Sequence, residues 1–249
     1  VRNFRYFSEL PGNPFRLGRH QMHDALPPER EAFRQALFQP LKSVSHQRDT
    51  PPFDQNHCSP DVIASLGGDA AVTALGNCTA NAALGLLMTE PFHRPGWAFT
   101  EDDAVRLYHE ETVLDDRQIP GVWPPTDTGS TGPWSMDALE KRGLIKSWVH
   151  TRSLHTALRL LVAGPISIGV PWYQSMFQPD ATDTIHVDEA SGLAGGHQIE
   201  VVALDVEGQR VQLCNSWGAG WGSDGRAWLS WTDMDLLLHE GGDVVQPVI

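Results

Sequence analysis

The chain has 249 residues, 41% hydrophobic and 20% charged, enough apolar material for one large or two small folded domains. Eighteen Lys and Arg stand against 31 Asp and Glu, and a net charge of −13 repels phosphate backbones, so no nucleic-acid partner is expected. No run approaches ~18 consecutive apolar residues, so no transmembrane segment is expected, and the opening VRNFRYFSELPGNPFRLGRH lacks the apolar stretch of a secretory signal.

Residues 1–27 are irregular, and Pro27-Pro28 predicts a short helix over 28–37. The stretch 44–60 is polar and turn-rich, and 61–76 is small, apolar and glycine-punctuated with no clear element. Residues 78–88, CTANAALGLLM, predict a helix limited by Pro91, with small side chains all round that suit a buried path. Thr100 before Glu101, Asp102 and Asp103 marks a helix start, with Ala104, Leu107 and Tyr108 facing inward. A turn-rich segment, 121–134, leads to a helix over 135–142 that stops at Gly143. Strands are predicted at 147–150, 166–170, 197–204, 209–213 and 227–231, with a helix at 154–162. Helices early and strands late predict an α+β fold or two packed lobes.

Three cysteines, Cys58, Cys78 and Cys214, leave at least one unpaired. That number suits a reducing compartment, and equally a secreted enzyme with one bridge and one reactive thiol. Cys78 opens the predicted buried helix, where free backbone N–H groups lower a thiol pKa and can hold an oxyanion. A small buried hydrophobe is the plainer reading of such a residue. His197 follows Gly195-Gly196 at a strand start, and an imidazole beside a thiol supplies the base that nucleophilic catalysis requires. Asn215, in CNSWGAGWG (214–222), can accept from one imidazole nitrogen and fix the ring, with Trp217 as cover. No C-x-x-C or H-E-x-x-H spacing exists, so no metal is expected, and nucleophilic thiol chemistry needs no organic cofactor.

Order and spacing join these residues. His197 lies 119 positions after Cys78 and Asn215 lies 137 after it, against roughly 130 to 150 in papain-type enzymes. With LGNCTANA (75–82), GGHQIEVVALD (195–205) and NSWGAGWGSDGRAWLS (215–230), the chain resembles the papain-like cysteine peptidases, most closely a compact branch of bacteria and bacteriophages. GPISIGV (164–170) and TDTGSTG (126–132) add to the likeness, which covers about residues 44–231.

The resemblance implies a two-lobed α+β papain-like fold, with a mainly helical lobe at 74–145, a twisted antiparallel β lobe at 146–249 and the cleft between them. It implies Cys78 as nucleophile, His197 as general base and acid, Asn215 as orienting residue and Trp217 as shield of their bond. The family's oxyanion-hole glutamine, six positions before the cysteine, is missing, because Val72 stands there. Gln55 in PPFDQ takes that role if 56–72 is an insertion that loops out. Cys58 in that insertion is a regulatory candidate, through a reversible disulfide with Cys78, or else an incidental surface cysteine. Gly129, Ser130 and Thr131 are expected along the substrate cleft. Trp172 and Tyr173 are expected near the pocket floor, with Met176 and Phe177 as alternatives.

Residues 1–43 are an N-terminal extension or strap, too short for the family's usual inhibitory propeptide. The expected partner is a peptide or protein substrate, hydrolysed through a thioester acyl-enzyme. Acyl transfer or deamidation by the same residues, and a non-catalytic binding module, are the competing readings. A cytoplasmic or virion-associated location is expected over secretion, and the sequence leaves the oligomeric state open.

Overall fold

The computed structural model describes residues 17–19, 40–115 and 122–249. The helix expected at 28–37 lies outside them. Five helices precede or flank the sheet's core strands: α1 (Pro60–Ser65), α2 (Cys78–Met88), α3 (Glu101–Leu114), α4 (Gly132–Lys141) and α5 (Leu154–Ala163). All eleven residues of α2 are buried. Its Ala, Thr and Gly side chains let α3, α4 and the sheet approach its axis from several sides, which a ring of larger residues would prevent.

Helix α3 begins with a capping box in which the Thr100 N–H donates to Asp103 Oδ2 at 2.8 Å. Helix α4 starts three residues earlier than its apolar pattern indicates. The Thr131 hydroxyl accepts from Trp134 N, and Pro133 fits a first turn whose N–H has no partner to lose.

The strands are β1 (Val44–Ser45), β2 (Ser147–Thr151), β3 (Ile166–Tyr173), β4 (Thr184–Ile185), β5 (Leu193–Asp205), β6 (Arg210–Cys214), β7 (Arg226–Ser230) and β8 (Asp243–Val248). Their order in the sheet is β2-β8-β3-β5-β6-β7-β4, with β1 also on β5. Every pairing is antiparallel except β4 with β7. Between β7 and β8 lies α6 (Trp231–His239), started by the Ser230 hydroxyl accepting from Asp233 N. Neither α6 nor β8 follows from the sequence pattern: β8 carries Pro247 and two glycines precede it, signals that read as turn.

Two hydrophobic cores result. One lies among α1–α4 and includes Leu84, Leu107, Met136 and Leu139, and the other lies between the sheet, α5 and α6. The division does not follow sequence order strictly. Trp148 of β2 and Val245 of β8 pack with the helical core, while Leu17 joins the β core. A buried polar joint ties the two: Glu200 of β5 accepts from Arg48 Nη1 at 3.1 Å and from the Thr89 hydroxyl at 2.6 Å. Each carboxylate oxygen thereby has a donor, the condition under which a buried charge is tolerable.

Candidate active site

Cys78 is the first residue of α2, after Asn77 as N-cap. The α2 N-terminus meets β5 so that the backbone N–H of Gln198 faces the Cys78 thiol. His197, the neighbour of Gln198, stands on β5 opposite Val170 of β3. Asn215 follows the end of β6, with its own N–H on Gly225 O at 2.9 Å. The sheet therefore carries the imidazole and the amide, and the helix carries the thiol.

His197 Nε2 lies 2.8 Å from Asn215 Oδ1. That oxygen also accepts from the Ser216 N–H at 2.8 Å, which identifies it as the carbonyl end of the amide. Nε2 must therefore be the protonated nitrogen, and Nδ1 carries the lone pair. Nδ1 is buried and, among the described residues, has no hydrogen-bond partner. An aromatic wall holds the ring. Trp217 stacks on it at 4.7 Å between centroids, and Trp172 meets it edge-on at 4.9 Å.

Gln55 is fully buried. Its Nε2 donates to Leu75 O at 3.2 Å, and its Oε1 accepts from the Ser216 hydroxyl at 2.5 Å. Its main chain is tied in the same way, with Gln55 N on Ser216 O at 2.9 Å and Leu75 N on Gln55 O at 3.0 Å. Residues 56–72 thus leave and return to one place, closed further by Cys58 N on Thr73 O at 2.7 Å. The glutamine is joined both to the loop before Cys78 and to the loop after Asn215.

Cys58 does not sit on a surface loop. It is buried in the helical core, its thiol donates to Gln55 O at 3.4 Å, and Cys58, Cys78 and Cys214 are all free thiols. The short α1, which buries Val62 and Ile63, folds this stretch against the lobe and turns Cys58 inward. The residues expected at the pocket floor are buried. Strand β3 runs on through Trp172 and Tyr173, so both are enclosed in the β core, and the Tyr173 hydroxyl donates to Glu240. Met176 and Phe177 are buried as well, Phe177 stacked on Trp217.

Against the segment 129–131 lie residues of this same chain, Gly18 and Arg19. Ser130 N donates to Gly18 O at 2.7 Å, and Arg19 N donates to Gly196 O at 3.0 Å. The N–H of Gly18 faces the Cys78 thiol. A Cβ on Gly18 would stand 1.7 Å from Gly76 O, so only glycine can cross here. Leu17 lies beside Gly195, and the Arg19 side chain enters a buried pocket where its Nη2 reaches Asp243 Oδ1 at 2.8 Å and Gly241 O at 3.2 Å. Thr131 contributes the cap of α4.

Burial sets the charge state of this covered site. Loss of water pushes the Cys78 thiol up to about 12, against the lowering effect of the Gln198 and Gly18 N–H groups. The same loss brings the His197 imidazole down to about 4, against the raising effect of Asn215. Both shifts favour the neutral forms of thiol and imidazole beneath the covering segment. Behind them, burial pushes the Glu111 carboxyl up to about 8, with the Thr79 hydroxyl donating to it at 2.6 Å.

Asp127 lies within TDTGSTG, but its role does not follow from that pattern. Asp127 accepts from Gly76 N at 2.8 Å and from the Tyr108 hydroxyl at 2.6 Å, and that hydroxyl accepts from Gly129 N at 2.7 Å. One carboxylate thus fixes the cysteine loop against the 129–131 segment. Among the described residues no group of three or more His, Cys, Asp or Glu is arranged to hold a metal, and no helix is long and apolar enough to cross a membrane.

Against protein-family models and against curated proteins the chain has no match. Solved structures do match. Xylellain, a cysteine protease from Xylella fastidiosa, aligns with a TM-score of 0.66 and 15% identity over 100% of this chain and 98% of its own. Procathepsin B from Trypanosoma congolense aligns at 0.57 and 12%, over 93% and 85%. The ragweed pollen allergen Amb a 11, a cysteine protease in its proform, aligns at 0.57 and 14%, over 90% and 71%. The fold is that of the papain-like cysteine proteases.

Proposed function

We propose that the chain is a cysteine peptidase that hydrolyses peptide bonds through Cys78, His197, Asn215 and Gln55, and that Leu17–Arg19 holds it closed until displaced. The observation that carries this reading is the tautomer. Asn215 keeps the proton on His197 Nε2, which leaves Nδ1 to take the Cys78 proton.

With the segment displaced and water readmitted, Cys78 gives its proton to His197 Nδ1. The thiolate adds to the substrate carbonyl carbon, and the oxyanion is held by the Cys78 N–H at the start of α2 and by the Gln55 amide. The C–N bond breaks as the imidazolium protonates the leaving amine, and a thioester remains. His197 then takes a proton from water, the hydroxide releases the acyl group as a carboxylic acid, and the thiol is restored. Trp217 keeps bulk water from the His197–Asn215 bond. The burial of Gln55 between Leu75 and Ser216 supports its role. The overlap with xylellain over both whole chains supports the compact bacterial or bacteriophage form.

The test is intact-mass labelling with a thiol-reactive epoxide, using wild type, Cys78→Ala and His197→Ala, with and without prior reduction, followed by peptide cleavage. One-site labelling lost in Cys78→Ala and slowed in His197→Ala, with cleavage of peptides, is expected. Amine incorporation without cleavage would replace hydrolysis by acyl transfer. Absence of selective labelling from folded protein would leave a binding module.

A further inference from the structure

We infer that Asn81 is a positioning residue of the reaction site, joined through one bound water to the side-chain amide of Asn215, so that the hydrogen bonds behind Cys78 run from His197 to Asn215 to Asn81. The inference rests on the peptidase reading and adds a residue to that site.

Asn81 is out of place on chemical grounds. It is the one amide in α2, a helix otherwise made of Cys, Thr, Ala, Gly, Leu and Met, and it is 1% exposed. Asparagine is a weak helix former, and a buried amide is costly unless its groups are bonded. Its Nδ2 donates to Asn77 O at 3.2 Å, one turn back, which leaves Oδ1 directed elsewhere. Among the described residues that oxygen has no partner, and neither has Nδ2 of the equally buried Asn215. One is an acceptor and the other a donor. Both residues line one small cavity of about 10 Å³, with Ala82, Ile199 and Cys214, and a cavity of that size stands at the threshold for holding a single water.

The other polar groups at this cavity have their own places. Arg48 and Glu200 bond to each other, and Gln198 Oε1 lies beside Gly169. Position links the cavity to the nucleophile: Asn81 comes three residues after Cys78, a spacing that puts both on one face of α2. A water that accepts from Asn215 Nδ2 and donates to Asn81 Oδ1 satisfies both groups. The Ser216 N–H decides which end of the Asn215 amide faces His197, and the water holds the amide plane. When His197 takes the Cys78 proton, its Nε2–H pulls harder on Asn215 Oδ1. That makes Nδ2 a stronger donor, so the series of bonds tightens in the charged state. The contribution therefore falls on turnover more than on substrate binding.

The experiment combines nuclear magnetic resonance of the nitrogen-labelled protein with peptide cleavage, on wild type, Asn81→Leu and Asn81→Asp. Leucine has a similar volume and no acceptor, while aspartate keeps the oxygen. In wild type the Asn215 amide protons are expected to show a nuclear Overhauser contact to a long-lived water, and its absence overturns the inference with no variant having to fold. In folded Asn81→Leu that contact is expected to vanish and the His197 Nε2–H tautomer to give way to a mixture of both. There kcat should fall ~10-fold with KM within ~2-fold, and Asn81→Asp should recover the tautomer and at least ~3-fold of the lost kcat. An unchanged tautomer in folded Asn81→Leu overturns the inference, and so do equal losses in the two variants. If wild type cleaves no peptide, the peptidase reading fails instead, and the water contact and the tautomer still decide the place of Asn81.

Discussion

Gly18 and Ser130 are joined by a 2.7 Å hydrogen bond, from the Ser130 N–H to the Gly18 carbonyl, beside the buried Cys78 thiol that the Gly18 N–H faces. The bond uses main-chain groups alone, so it fixes where a chain runs without fixing which chain. Whatever displaces Leu17–Arg19 can form it again.

Gly18→Val is expected to open the site. Its side chain would collide with the Gly76 carbonyl, part of the backbone rather than a movable side-chain end. The segment must then lift away, and epoxide labelling of Cys78 should accelerate ~10-fold or more, as expected when a closed state is depopulated. Mass spectrometry over time measures it. An unchanged rate would show that the segment does not limit access.

The pH dependence of labelling should move with the segment. In wild type the thiol, pushed up to about 12 by burial, ionises only in strong alkali, so the rate should rise steadily beyond pH 9. In Gly18→Val the rehydrated thiol beside an imidazole should react at least one pH unit lower. Stability follows the same shifts. His197, brought down from 6.5 to about 4, contributes stability that is present above pH 6.5 and lost as pH falls through about 4. Cys78, raised from 9.0, contributes stability that is lost as pH rises from 9.0 toward about 12. Thermal unfolding from pH 4 to 10 checks both limbs.

Gln55→Ala should lower kcat by ~100-fold, the usual effect of losing one oxyanion donor. Epoxide labelling of Cys78 should change far less, because no carbonyl oxyanion forms on that reagent. Ser216→Ala removes the hydroxyl that holds Gln55 Oε1 but spares the amide, and a smaller loss in kcat is expected. Equal losses in labelling and turnover for Gln55→Ala would assign the residue to folding alone.

Glu111→Gln should stabilise the protein more as pH rises. Burial raises this carboxyl from 4.5 to about 8, so its ionisation opposes folding increasingly across that window. Glutamine keeps an acceptor for Thr79. The gain in Tm over wild type should grow from pH 5 to pH 8.5 by a few degrees, at roughly 2–4 °C per kcal/mol. A gain independent of pH would show that the carboxyl stays neutral, or reaches water.

Cys58→Ser should leave redox behaviour unchanged. Its thiol is enclosed beneath Gln55 and pushed above its ordinary range by burial. Protein unfolded without reductant should titrate three thiols, and finding one would restore the disulfide gate.

The motif-bearing parts of the fold were legible because their causes are local. A run of small residues bounded by Pro91 predicted α2 with its observed ends, and NSWG-x-GWG marked the loop that carries Asn215 and Trp217. What stayed hidden depends on distant partners. Arg19 and Asp243 lie 224 positions apart, in a turn-like segment and a proline-containing strand, and only the folded sheet brings them together. The burial of Trp172 and Tyr173 was hidden for a related reason. Aromatic residues after a strand resemble a pocket floor until the strand is found to continue through them.

Strand β8 lies between β2 and β3, inside the sheet rather than at its edge. During synthesis, a chain stopped before residue 243 already contains Cys78, His197 and Asn215. It lacks the strand that joins β2 to β3, and the acid that anchors Arg19. The middle of the sheet and the anchor of Arg19 are therefore completed by the same late strand, and a chain truncated before it has neither.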